Sequence, residues 1–145
     1  MNLESNLGKI KMVIYDIIQL DDDEGERYLI KNASERSLLN YLGISSLSSL
    51  EKSLKNGDSA KVYIIDGNFP RGESPIEFLA QEAINLIREI YPSSKLFLYS
   101  SVEEDLKILS KIQKIAKEKN VDFRNKNRVT HRTLLKEIKG YLENI

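Results

Sequence analysis

The sequence predicts an α/β protein: a doubly wound sheet of five parallel strands flanked by helices, a three-layer sandwich. Three short runs of β-branched, aromatic and leucine residues are apolar without alternation, as in strands covered on both faces. Amphipathic helical patterns lie between them. The second half alternates strand and helix three times, an order that implies right-handed βαβ crossovers. At 145 residues, without repeats or a low-complexity linker, the chain is expected to form a single domain over 1–145.

Taken in order, the first strand is Met12 to Ile18. Two readings are open for the next stretch, Leu20 to Lys55. In one, Asp21-Asp22-Asp23-Glu24-Gly25 is a loop leading into a helix that continues to Leu42, followed by Ile44 in a short second strand and a helix over Leu47 to Leu54. In the other, the same acids turn a hairpin that joins Met12–Leu20 to Arg27–Ile30. The face shared by Tyr28, Leu29, Leu38, Leu39 and Leu42 favours the helix. The third strand is Lys61 to Ile65. Ser74-Pro75 and Glu77 read as an N-cap, a first-turn proline and an acid at the positive end of a helix. That helix carries Phe78, Leu79, Ala83, Leu86, Ile87 and Ile90 on one stripe, and Tyr91-Pro92 stops it. Lys95 to Tyr99 is the fourth strand. Ser101 or its neighbour caps the next helix, with Glu103, Glu104 and Asp105 near its start and Leu106, Leu109, Ile112, Ile115 and Ala116 inward. Val121 to Phe123 is the fifth strand, and a last helix runs from Thr130 to Leu142.

Composition narrows the function. The chain has no cysteine, which excludes a disulfide scaffold, a thiol nucleophile and Cys-ligated metal. Its 22 basic and 22 acidic residues cancel, so no whole-molecule grip on nucleic acid or an anionic membrane is expected. Lysines 107, 111, 114 and 117 recur at helical spacing and read as a solvated face. No apolar run approaches the ~18–20 residues of a membrane span, and Met1 to Lys11 lacks the order of a signal peptide, so the cytoplasm is the expected compartment. His131, the one histidine, reads as a surface residue. Asp21–Glu24 lacks the spacing of an EF-hand loop, and the isolated Gly67 and Gly72 make no phosphate-binding loop.

Ligands of an open parallel sheet bind beyond the carboxyl ends of its strands. The residues read at those ends are Asp16, Asp66, Ser100 with Ser101, and Lys126. Two carboxylates, a hydroxyl and an ammonium suit a hard divalent ion and a phosphoryl group. Each also has a plain structural role open to it: a turn cap for Asp66, loop bonds for Asp16, a helix cap for Ser100 and solvated surface for Lys126; Phe123, three residues before Lys126, likewise reads as core packing.

Asp66-Gly67-Asn68-Phe69-Pro70 is similar to the phosphoacceptor turn of response regulator receiver domains, the chemotaxis-regulator type of flavodoxin-like fold. In that turn an aspartate ends the third strand and a proline follows four residues later. Ser100 falls where the family keeps a Ser or Thr, and Phe123-Arg124-Asn125-Lys126 resembles its strand-five aromatic and lysine. The resemblance covers most of the chain from Lys61 onward. It implies phosphoryl transfer from a histidine kinase or phosphotransfer protein to Asp66, with Mg²⁺ held by Asp16, Asp66 and the carbonyl of Asn68. Lys126 and Ser100 would hold the phosphoryl oxygens, and Ser100 and Phe123 would switch the surface of the fourth helix, fifth strand and fifth helix toward a downstream protein. The family's pair of adjacent acids after strand one is not met at Asp16, which Tyr15 and Ile17 flank; Asp21, Asp22 or Asp23 folding back would supply the second acid. The expectation is therefore a stand-alone receiver-like domain with no turnover chemistry beyond its own phosphorylation and dephosphorylation, and a homodimer through helices four and five as a further partner. The alternatives are a phosphorylation-independent scaffold of the same fold and, last, a small nucleotide-binding enzyme.

Overall fold

The computed structural model describes residues 13–102 and 106–145. Met12, Glu103, Glu104 and Asp105, which the sequence reading used, and the Met1 to Lys11 segment lie outside the described residues. In chain order the elements are β1 (Ile14–Leu20), α1 (Glu24–Arg36), β2 (Tyr41–Ile44), α2 (Leu47–Lys55), β3 (Ser59–Ile65), β4 (Asn68–Pro70), β5 (Ile76–Phe78), α3 (Ala80–Ile90), β6 (Lys95–Ser100), α4 (Leu106–Lys119), β7 (Asp122–Asn125) and α5 (His131–Glu143). Five strands form one parallel sheet in the order β2-β1-β3-β6-β7, with Ile17 opposite both Tyr41 and Val62. The expected five-stranded parallel sheet between two helical layers is the observed architecture.

Its apolar strands are buried on both faces, which is why they do not alternate. On one face Ile18, Tyr63, Ile65, Leu96 and Leu98 pack against α2, α3 and α4 through Leu50, Ile84 and Ile112. On the other, Ile17, Val62, Ile64, Phe97 and Tyr99 pack against α1 and α5 through Ile30, Leu134 and Ile138. Each side chain buried this fully contributes roughly 1.5–3 kcal/mol. Side-chain caps begin three helices: Asp23 accepts from the amides of Gly25 and Glu26, Ser46 from Ser49, and Thr130 from Thr133.

Three expectations are corrected. The acidic stretch leads into α1, as favoured, but that helix ends at Arg36 rather than Leu42. Ser37 caps it and Leu38 turns into the left-handed region (φ 59°), so Leu38 is solvent-exposed and Leu42 lies in β2. Tyr28 and Leu29 face outward, and Ile30 and Ser34 are the buried positions. Ser74-Pro75 does not open a helix. Ser74 Oγ accepts from the Arg71 amide in a turn, and Ile76–Phe78 pairs antiparallel with Asn68–Pro70 as a hairpin between β3 and α3. Ser-Pro is as much a turn signal as a helix start, and three residues are too few for periodicity to decide. Finally, β1 continues past Ile18 to Leu20, which moves the end of the strand relative to Asp16.

Candidate functional site

The sheet order reverses between β1 and β3, and the crevice beyond their carboxyl ends is where such a sheet binds ligands. Backbone bonds draw the loops together there. The Asp66 amide donates to the Leu20 carbonyl at 2.9 Å and the Lys126 amide to the Ser100 carbonyl at 3.0 Å, so residues distant in sequence meet at one edge. The resulting pocket, about 290 Å³, is lined by Asp21, Asp22, Asp66, Asn68, Ser100 and Lys126, among others.

The three consecutive acids after β1 divide their work. Asp23, also on the pocket wall, caps α1, while Asp21 and Asp22 bring their carboxylate oxygens toward Asp66. Asp21 is almost wholly buried. Its Oδ1 accepts from the Asp23 amide at 2.9 Å and its Oδ2 from Lys126 Nζ at 2.7 Å. The Gly67 amide donates to Asp66 Oδ1 at 2.7 Å, which leaves Oδ2 toward Lys126 Nζ, 3.8 Å away. One carboxylate oxygen each of Asp21, Asp22 and Asp66 lies within 4.8 Å of the others. An octahedral magnesium with ligands at about 2.1 Å separates them by about 3 to 4 Å, so this donor set of hard oxygens fits the ion.

Burial pushes the Asp66 carboxyl up to about 6. The negative charge of Asp21 adds to the rise, and Lys126, the Ser100 hydroxyl and the Gly67 amide pull against it. Asp21 is likewise raised by burial, against the opposing charge of Lys126. For Lys126, burial works to discharge the ammonium, but Asp66 and Asp21 together outweigh it and hold the group above its ordinary value. The pocket lining sets one cation, Lys126, against five acids, Asp21, Asp22, Asp23, Glu26 and Asp66, which makes it a site short of positive charge.

Gly67 sits at a close approach. A Cβ there would stand 2.9 Å from Ser100 Oγ and 3.4 Å from the Phe78 ring. Ser100 is buried at the end of β6, and Ser101 is exposed beside it on the pocket wall.

Of the residues read from sequence, Asp66, Asn68, Ser100 and Lys126 are brought together here. Phe123 is not. It sits on β7 opposite Leu98, half-buried against the α2–α4 side of the core, and does not line the pocket. Asp16 is a correction: it lies near the amino end of β1, five residues before Asp21, or about 16 Å along a strand. Its carboxylate accepts from the Asn40 amide at 2.9 Å and pairs with Lys61 at 3.5 Å. The polar Gln19 read as the end of the strand, yet it is fully buried and its Oε1 accepts from the Tyr41 hydroxyl at 2.6 Å. Asp21 and Asp22 are therefore the acids beyond the end of β1 whose oxygens approach Asp66. Read from sequence, Asp21, Asp22 or Asp23 supplies only the second acid beside Asp16; three acids directly before a helix start, of which one is needed as its cap, leave two for the site.

Neither a family model nor a curated protein matches the chain. Solved structures do. It is similar to the CheY-like response regulator receiver domain protein of Methanospirillum hungatei JF-1, with TM-score 0.72 and 15% identity, over 91% of this chain and 96% of that one. A receiver domain protein of Clostridium thermocellum superposes with TM-score 0.65 at 21% identity, over 88% and 94%. The BeF3-activated DrrB receiver domain does so with TM-score 0.65 at 18% identity, over 90% and 99%. The chain has the receiver-domain fold. Within it the acidic pocket occupies the receiver sheet's carboxyl edge, at the switch point between β1 and β3. Among the described residues, no helix of this receiver fold is long and apolar enough to cross a membrane.

Proposed function

We propose that the chain is a receiver-like signalling domain of a two-component phosphorelay that accepts a phosphoryl group on Asp66. The observation that carries this reading is the meeting of Asp21, Asp22 and Asp66 around one point, with the Lys126 ammonium between Asp21 and Asp66. Asp66 is held by the Gly67 amide through one oxygen, so its other oxygen is the one free to attack. That oxygen bonds to phosphorus as the bond from phosphorus to the donor's imidazole nitrogen breaks in line, and the electron pair leaves on the nitrogen. Catalysis is then positioning and electrostatics. Lys126 takes up charge on the phosphoryl oxygens and the Ser100 hydroxyl donates to one of them. Asp21, Asp22 and Asp66 would hold Mg²⁺, with the Asn68 carbonyl as a further ligand; bound there, the ion supplies charge neutralisation for the incoming phosphate.

The donor is a histidine kinase or a histidine phosphotransfer protein, and the reporter of the event is Ser100, with Phe123 on the adjoining strand as the aromatic that responds. The test is incubation with acetyl phosphate and magnesium, followed by intact mass. A gain of one phosphoryl group that Asp66→Asn abolishes is expected, and beryllofluoride should shift the amides of Asp66, Ser100 and Lys126. No adduct and no shift would overturn the reading in favour of a phosphorylation-independent scaffold on the same fold.

A further inference from the structure

Helices α1 and α5 cover one face of the sheet and pack through Ile30, Leu134 and Ile138. Between their outer surfaces they leave a groove of about 840 Å³, larger than the acidic pocket and sharing no residue with it. Tyr28, Leu29 and Leu135 line it. Tyr28 is 62% exposed and Leu29 39%, so two large apolar side chains stand at the solvent boundary.

The rim has one sign. Arg36 comes from α1, and Arg132, Lys136 and Lys139 form a stripe at i, i+4 and i+7 on α5. No aspartate or glutamate lines the groove. Among the described residues none of these four cations has a carboxylate within ion-pair distance, whereas Lys61, Arg71, Lys95, Arg124 and Lys126 are all paired. In a chain of zero formal charge, four cations without an ion pair among the described residues gather around one apolar depression.

We propose that the α1–α5 groove binds an acidic segment of a partner protein, one in which large apolar side chains alternate with aspartate or glutamate. The apolar residues would seat on Tyr28, Leu29 and Leu135, and the acids would meet the four cations. Recognition of an amphipathic segment in a groove uses this combination, with an exposed aromatic as a favoured anchor. A second copy of the chain is a poor occupant. A twofold contact would set the same cations against themselves, which costs several kcal/mol. A flat bilayer reaches a protruding basic surface more readily than cations ringed around a depression. The proposal does not depend on phosphorylation of Asp66.

The test selects 16-residue peptides from a random displayed library on the immobilised full chain and measures the enriched ones by fluorescence anisotropy. Enriched sequences should be net acidic with Leu, Phe or Trp between the acids, and their amide shifts should fall on α1 and α5. Both R132E/K136E and R36E/K139E should weaken binding at least tenfold, with folding checked by circular dichroism, and K114E/K117E on α4 should not. Affinity should fall with added salt. The proposal is overturned if nothing enriches, if the enriched peptides are not acidic, or if both groove variants bind as the native chain does. It is equally overturned if a 12-nucleotide single strand, or vesicles of phosphatidylcholine and phosphatidylserine, engage these four cations more tightly than any selected peptide.

Discussion

Lys126, on the loop after β7, donates from Nζ to Asp21 Oδ2 at 2.7 Å, joining the last strand of the sheet to the loop after the first across 105 residues of sequence. Both side chains are largely buried, 11% and 2% exposed. Removing one partner of such a pair leaves the other charge uncompensated, which costs about 3–5 kcal/mol. Lys126→Ala should therefore lower stability by about 3 kcal/mol in chelator, read as a shift of the urea midpoint. Millimolar magnesium should return part of it, because a divalent cation among Asp21, Asp22 and Asp66 replaces the lost charge. A variant as stable as the native chain in chelator would contradict the pairing.

The environment of Asp66 sets a pH dependence. Its carboxyl is pushed from 3.8 up to about 6, mainly by burial, so the folded state holds the proton more tightly than the unfolded chain. The stability this group contributes is complete below about pH 4 and is lost as pH rises through about 6. Asp66→Asn removes the penalty of the buried charge. It should be more stable than the native chain at pH 7 in chelator, by about 1–3 kcal/mol, and the difference should vanish near pH 4. Thermal unfolding across this range checks both ends. Magnesium binding at the proposed site should have the opposite sense, since protons compete for the carboxylates, and affinity should fall as pH drops through about 6.

The placement of Asp16 and of the Asp21-Asp22 pair separates the ligand set expected from sequence from the one proposed on the structure. Asp16→Asn should leave magnesium affinity within twofold by calorimetry, because its carboxylate faces Asn40 and Lys61 near the other end of the sheet. Asp22→Asn should lower it at least tenfold, since it removes one of three oxygens within 4.8 Å. The reverse ranking would restore Asp16 to the site.

The same pair of residues shows what could be read from the sequence. Strand interiors announce themselves by unbroken hydrophobicity, so the five-stranded sheet and the strand-end positions of Asp66, Ser100 and Lys126 were legible. The end of β1 was not, because a polar Gln19 looks like a terminator until Tyr41, 22 residues on, supplies its hydrogen-bond partner. A tertiary contact decided a local boundary. The hairpin after Asp66 was hidden for a related reason: two three-residue strands carry no period, and their pairing, with Phe69 fully buried beneath, exists only once the chain has folded.

Leu38 is a second boundary that local signals did not mark. Helix α1 ends without a glycine, and Leu38 takes the left-handed conformation (φ 59°) with its side chain 93% exposed. Its amide donates to the Glu35 carbonyl and that of Leu39 to the Ser34 carbonyl, which close the helix end. A non-glycine residue in this region costs roughly 1–2 kcal/mol, and no burial offsets it here. Leu38→Gly should therefore raise stability by about 0.5–1 kcal/mol after the added freedom of the unfolded chain is deducted. A loss on denaturation would mean that Leu38 packs against something in solution.

The contact between Gly67 and Ser100 carries the last prediction. A Cβ at position 67 would stand 2.9 Å from Ser100 Oγ, closer than carbon and oxygen tolerate, and Ser100 is buried with little room to retreat. The cheapest relief is rotation of the hydroxyl, which takes it away from the Asp66 carboxyl that it helps to pull down. Gly67→Ala should therefore cost about 1 kcal/mol or less in stability, yet slow phosphorylation of Asp66 by acetyl phosphate about as much as Ser100→Ala does. The double variant should be no slower than Ser100→Ala alone, since both changes remove one hydroxyl from one carboxylate. Additive rate losses would show that Gly67 acts by another route, through its amide on Asp66 Oδ1 or through the Phe78 ring 3.4 Å from the same point.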